Sequence, residues 1–384
     1  MSVGIERMTA YVPPLLLAAD DLAAARGADP AAWARTIGTH TLRAAPACED
    51  AVTMAASAGV RLLRAAELGA DDLGMLLVAS ASGTVRAGVV HEMLGLGHRC
   101  RMATLGPGGH ASTAAFMAAA VGVRAARGRL RRALVIAADV VRPPRGGALE
   151  ATAGAGAVAV LVGQEPILFQ LADESGTWAA RDDGSERAWL EAVEGTLEML
   201  RPLERPEPVG EEVMTDRFAR VCYQASSPAR ARAAHRRLVE ADWRGNERRW
   251  AAALAQHEPR VAEAVAEQAE PGLALLARMG DAGAATPFLA LAALLEADAR
   301  RLGGRRVACF GFGGGCAELF SGLVPSRAHT VADTGVRAAL ASATRIDVAT
   351  WDALAAADAS APRPEAFAGD FVRAPHGGYH RVIS

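Results

Sequence analysis

Few residues in this chain stand at a spacing that performs chemistry by itself. The nine histidines are scattered, with no HExxH pair and no zinc-spaced Cys/His set, so no metal site is expected. The five cysteines, Cys48, Cys100, Cys222, Cys309 and Cys316, form no CxxC pair. An odd, scattered set reads as reduced thiols in a cytoplasmic protein. There is no lysine; all 41 Lys-or-Arg positions are arginine, which excludes a Schiff-base lysine and a Walker-type phosphate lysine. The run Gly311-Phe312-Gly313-Gly314-Gly315 follows an apolar segment and lets a ligand approach the backbone. It lacks the last glycine of a GxGxxG fingerprint, as does Gly154-Ala155-Gly156, so no dinucleotide site is expected.

The elements that would carry these residues alternate in type. Short apolar, β-branched runs predict strands at 73–79, 133–137, 157–162, 166–171 and 307–310. Ala/Leu-rich stretches predict helices at 50–67, 112–127, 229–241 and 288–302, and a further helix at 186–200. This alternation predicts a layered α/β fold. A glycine-rich strand boundary in each half predicts two related halves that meet near residues 163–166. The polar stretch 173–211 reads as loops around the 186–200 helix. The segment 356–368, with Pro362 and Pro364, reads as a surface connection before a short strand near 370–373.

Composition bounds the function classes. The 384 residues are 51% hydrophobic and 22% charged, the balance of a soluble globular protein with ample core. A net charge of −2 gives no reason to expect nucleic acid or an anionic membrane as partner. No basic leader precedes an apolar run, and no apolar run reaches transmembrane length.

Several segments, in order, carry a resemblance to a known family. The stretch from Leu94-Gly95-Leu96-Gly97 through Cys100-Arg101 to Gly108-Gly109-His110-Ala111-Ser112-Thr113-Ala114-Ala115 resembles the nucleophile segment of 3-hydroxy-3-methylglutaryl-CoA synthases. Val3–Met8 with Tyr11-Val12-Pro13, Asp20–Pro30, Glu49–Ala56, Ala133–Asp139, Gly154–Ala159, Phe288–Leu295 and Phe310–Gly322 resemble further segments of it. The similarity runs from residue 3 to the C-terminus and is poorest over 173–217. It implies the five-layered αβαβα thiolase fold, made of two duplicated halves (1–165 and 166–384) and usually a dimer.

What the resemblance implies for the site is a frame without its reactive groups. The acyl-carrying cysteine falls on Gly109, the acid/base glutamate on Ala81 and the orienting histidine on Gln224. The Gly-Asn pair falls on Gly280-Asp281, and the serine of the glycine turn on Gly314. Gly109, Ala81 and Gly314 are expected to enlarge the pocket. His110, alone or with Asp281, is then the expected proton-transfer group. Ser112 is either an alternative nucleophile or a residue that caps or packs its helix. A thioester carbonyl would lie near the backbone of Gly109 and of Gly313, Gly314 and Gly315. The family's CoA-binding lysines fall on Ala229 and Ala233; neighbouring Arg230, Arg232, Arg236 and Arg237 either receive the anion bidentately or form a solvated basic face.

Two functions follow from the resemblance. One is an acyltransferase or condensing-type enzyme of secondary metabolism, acting on acyl-CoA or acyl-carrier-protein thioesters without an acyl-cysteine. The other is an inactive subunit that pairs with, or scaffolds, an active thiolase-fold partner. Neither needs a cofactor beyond the CoA or phosphopantetheine thioester. Either form is expected as a homodimer or heterodimer.

Overall fold

The computed structural model describes the chain apart from residues 1, 127–130, 148, 182–183, 202–211, 255, 357–366, 375–377 and 383–384. Strand β1 is Gly4–Tyr11. Strands β2 (Leu15–Ala18) and β3 (Thr41–Ala44) form a small separate sheet with Thr344–Arg345. The main sheet adds β4 (Met75–Ala79), β5 (Arg101–Leu105), β6 (Ala133–Val141), β7 (Gly154–Gly163), β8 (Phe169–Ala179), β9 (Phe218–Tyr223), β10 (Arg306–Gly313) and β11 (Cys316–Leu323). Its order is β5-β4-β6-β7-β1-β8-β11-β10-β9.

That order contains a repeat. In the first half β4 and β6 are parallel, β6 and β7 antiparallel, and β7 and β1 antiparallel. In the second half β9 and β10 are parallel, β10 and β11 antiparallel, and β11 and β8 antiparallel. In the main sheet the halves meet where Gly4 and Ile5 of β1 pair with Gln170 and Phe169 of β8. We propose 1–165 and 166–384 as the duplicated units, since the seam falls between β7 and β8.

The layers follow from which faces are apolar. Strands β6 and β7 are near-continuous Val/Ile/Leu/Ala runs, as strands covered on both faces must be. Helices Ala111–Ala125 and Thr286–Leu302 lie between the two sheet halves and share one core with both. Within it Phe116 stacks on Phe320 at 5.0 Å between ring centroids and meets Phe288 at 5.4 Å. Helix Ala51–Ala65 covers the outer face of the first half, and helices Glu186–Leu200 and Pro228–Arg244 that of the second. The result is five layers, αβαβα. Helix Ala51–Ala65 starts at a capping box: the Asp50 carboxylate accepts from Thr53 N–H at 2.9 Å, and Thr53 Oγ1 accepts from Asp50 N–H at 2.9 Å.

The structure corrects the expected loop at 173–179. Those residues continue β8 to Ala179, because β11 pairs alongside them from Ala317↔Trp178 to Phe320↔Ser175. A partner strand distant in sequence overrode the polar composition. The helix expected at 186–200 is Glu186–Leu200, capped by Ser185. The expected surface connection at 356–368 lies mostly outside the described residues. No helix among the described residues is long and apolar enough to cross a membrane.

Candidate active site

The carboxyl ends of the parallel strands β4, β5, β6, β9 and β10 gather the residues singled out by the sequence. After β5, the turn Gly106-Pro107-Gly108-Gly109-His110 opens helix Ala111–Ala125. Opposite it, Gly313-Gly314-Gly315 turns β10 into β11. These two turns meet backbone to backbone. A Cβ on Gly313, whose φ is +136°, would strike the Gly109 nitrogen, so only glycine allows this approach.

Gly109 is not beside an enlarged space. A Cβ there would lie 2.6 Å from Gln224 Cδ and 2.7 Å from its Nε2, and closer still to the Phe312 carbonyl oxygen. The side chain of Gln224, held at the end of β9 by its N–H to Phe310 O at 2.8 Å, already occupies that volume. A Cβ on Gly314 would likewise meet Pro107 O at 2.6 Å. The expected enlargement at Gly109 and Gly314 is therefore corrected: close packing fills the volume a missing side chain leaves.

His110 caps helix Ala111–Ala125 half-buried, and its imidazole Cε1 would be 3.4 Å from a Cβ at Gly314. Its carbonyl accepts from Thr113 Oγ1 at 2.8 Å and from Ala114 N–H at 3.0 Å. Ser112 is fully buried, and its Oγ has no hydrogen-bond partner. That enclosure is the environment of a side chain packed in the first helical turn. Gly108 N–H is already bonded to Ala81 O at 3.0 Å, and Gly315 O accepts from Ala180 N–H at 3.0 Å.

Asp281 sits on the loop before helix Thr286–Leu302, against the start of β7, where its N–H donates to Thr152 O at 2.8 Å. Its Oδ1 accepts from Gly283 N–H at 2.8 Å and from Thr286 Oγ1 at 3.1 Å. Burial pushes its carboxyl up to about 6, against the pull of those bonds; Asp139 adds to the rise and Arg230 opposes it. Its carboxylate bonds thus go to its own loop and to the first residue of the helix that follows.

Two buried carboxyls in the same region were not singled out from sequence. Asp139, at the end of β6, accepts from Ser80 Oγ (2.8 Å), Ala81 N–H (2.8 Å), Ser82 N–H (3.1 Å), Ser82 Oγ (3.0 Å) and Ala284 N–H (2.9 Å). It ties the β4 strand-end to the Asp281 loop. The available signal was a lone acid in the otherwise apolar run Ala133–Val141. Glu318, on β11 opposite Gly311, is buried with Oε2 unpartnered; burial pushes it up to about 7, partly offset by Thr113.

The arginine face of helix Pro228–Arg244 is mostly paired. Arg232 is bound by Glu270, Arg236 by Glu258 and Glu240, and Arg237 by Glu194 at 2.8 Å. Arg230 lies 4.8 Å over the Trp189 ring. Carboxylates from neighbouring helices hold the guanidinium groups of Arg232, Arg236 and Arg237, for which the sequence left open an anion site or a solvated basic face. No His/Cys/Asp/Glu group among the described residues is arranged to hold a metal. What the site presents is a pair of glycine turns, a carboxamide and an imidazole.

No protein-family model matches the chain. It is 28% identical over 356 residues to the polyketide biosynthesis 3-hydroxy-3-methylglutaryl-ACP synthase PksG of Bacillus subtilis, covering 84% of this chain and 80% of that protein. The structure of MvaS in complex with 3-hydroxy-3-methylglutaryl coenzyme A superposes with a TM-score of 0.89 at 28% identity, covering 99% of each chain. The curacin biosynthetic pathway HMG synthase, solved in complex with holo donor-ACP, superposes with a TM-score of 0.84 over 100% of each chain; its 22% identity speaks to fold alone.

Proposed function

This chain is a homologue of the 3-hydroxy-3-methylglutaryl-CoA synthases and has their thiolase fold, and from that premise we propose that it handles acyl thioesters of CoA or a carrier protein without forming an acyl-cysteine. The observation that carries the reading is the Gln224 carboxamide filling the volume beside Gly109. A thiolate at that position would have no room, whereas a neutral amide can hydrogen-bond a thioester carbonyl. In this reading the chain is an acyltransferase of a biosynthetic pathway: Gln224 and the glycine turns position the carbonyl, and His110 moves the proton. A carrier-protein thioester is supported by PksG, itself an ACP-dependent synthase by name.

The test combines intact-protein mass spectrometry with calorimetry, using acetyl-CoA and an acetylated carrier protein. Saturable binding with no covalent adduct is expected. A stable acetyl adduct, or no binding of either thioester, overturns the reading.

One observation favours the second reading, an inactive subunit paired with an active relative. The edge strand β5 is exposed from Arg101 to Thr104, with Met102 53% exposed, and supports pairing with a second thiolase-fold chain. Met102→Asp should then shift the sedimentation of the assembly to monomer. Turnover by the purified chain alone would exclude the inactive reading.

A further inference from the structure

Tyr223 ends β9, and Gln224 follows it; in an extended segment their side chains leave on opposite faces. Tyr223 points into the outer core, with its ring 5.8 Å from that of Phe310 and only 1% of the residue exposed. Gln224 points the other way, against Gly109. The Tyr223 hydroxyl is 3.0 Å from Nδ1 of His235, which is completely buried. His235 Nε2 is 3.0 Å from Gln268 Oε1, and Gln268 Nε2 donates to Thr215 O at 3.0 Å. Thr215 N–H donates to Asp242 Oδ2 at 2.6 Å, and Asp242 Oδ1 accepts from Arg201 at 2.8 Å.

The directions of these bonds are mutually fixed. Gln268 gives its N–H to a carbonyl, so its Oε1 accepts and His235 Nε2 carries the proton. Nδ1 is then an acceptor, and the Tyr223 hydroxyl donates to it. Burial pushes the His235 imidazolium down to about 4, which keeps the ring in this neutral form. Gln268 lies on a π-helical turn, Val265–Ala269, a local geometry that re-aims a side chain and recurs at functional positions.

We infer that His235 is a positioning residue of the candidate site: it anchors Tyr223 from the outer face and so holds the Gln224 carboxamide beside Gly109. Helix Pro228–Arg244 and the Val265–Ala269 turn thereby control what fills the volume next to the glycine turns. The consequence for ligands rests on the thioester reading above; the anchoring does not.

The full-length chain tests it by hydrogen–deuterium exchange. Gln224 N–H, bonded to Phe310 O at 2.8 Å, is the reporter. In Tyr223→Phe, which keeps the ring's shape, and in His235→Phe, exchange at Gln224 should quicken about tenfold or more, with the β10–β11 amides unchanged. His235→Asn, whose carboxamide oxygen can still accept the Tyr223 hydroxyl, should stay near wild type. Wild-type exchange at Gln224 in Tyr223→Phe, or exchange in His235→Asn as fast as in His235→Phe, overturns the inference. Binding of acetyl-pantetheine, measured on the same proteins, separates the two claims. If no variant binds it, the thioester reading fails while the exchange result still decides the role of His235.

Discussion

At the scale of single residues, the site is defined by what Gln224 does to Gly109. Gly109→Cys places a Cβ within 2.6 Å of the Gln224 carboxamide carbon, so it should overpack the turn. A loss of about 1–3 kcal/mol in denaturant unfolding is expected, with no acetyl adduct from acetyl-CoA. Adding Gln224→Ala should recover much of that stability by clearing the volume. Asp139 makes the opposite kind of prediction. Its carboxylate accepts five hydrogen bonds while only 1% exposed. Removing it in Asp139→Ala strands buried donors, and a destabilisation of about 3–5 kcal/mol is expected by chemical denaturation.

At the scale of elements, the central helices decide whether the two halves hold together. Helix Ala111–Ala125 begins at the glycine turn and sends Phe116 into the ring cluster with Phe169, Phe288 and Phe320. Phe116→Ala opens a cavity between elements of both halves and should cost about 3–5 kcal/mol in equilibrium unfolding. The same change in an outer-layer helix would affect only one half. A broadened, non-coincident transition by two probes would show that the halves had begun to unfold separately.

For the whole molecule, buried carboxyls set the pH profile. Burial pushes Glu49 and Glu318 up to about 7, and Asp281 to about 6. The unfolded chain releases these protons near pH 4. Between about 4 and 7 these three carboxyls hold more protons in the folded chain, so their contribution to stability falls as pH rises and then levels off; His235, pushed down to about 4, opposes them below its unfolded value of about 6.5 and is outnumbered. Unfolding midpoints should be higher at pH 5 than at pH 8. Glu318→Gln should flatten the slope, since it keeps the side chain's shape and removes its titration. A slope unchanged in Glu318→Gln would show that this carboxyl does not titrate in the window.

The sequence alone determined the layered architecture, because local patterns set it. Apolar runs such as 133–137 and 157–162, Ala/Leu-rich stretches such as 288–302 and glycine boundaries in each half are all local. It also placed Gly109, Gln224 and Asp281 in the candidate site through the ordered resemblance. Only the tertiary structure decided what surrounds them. Gln224 reaches Gly109 from another half of the chain, Asp139 binds Ala284 across 145 residues, and Glu270 takes Arg232. Whether a missing side chain leaves a cavity depends on which distant segment packs against it, and no local pattern in the chain encodes that volume.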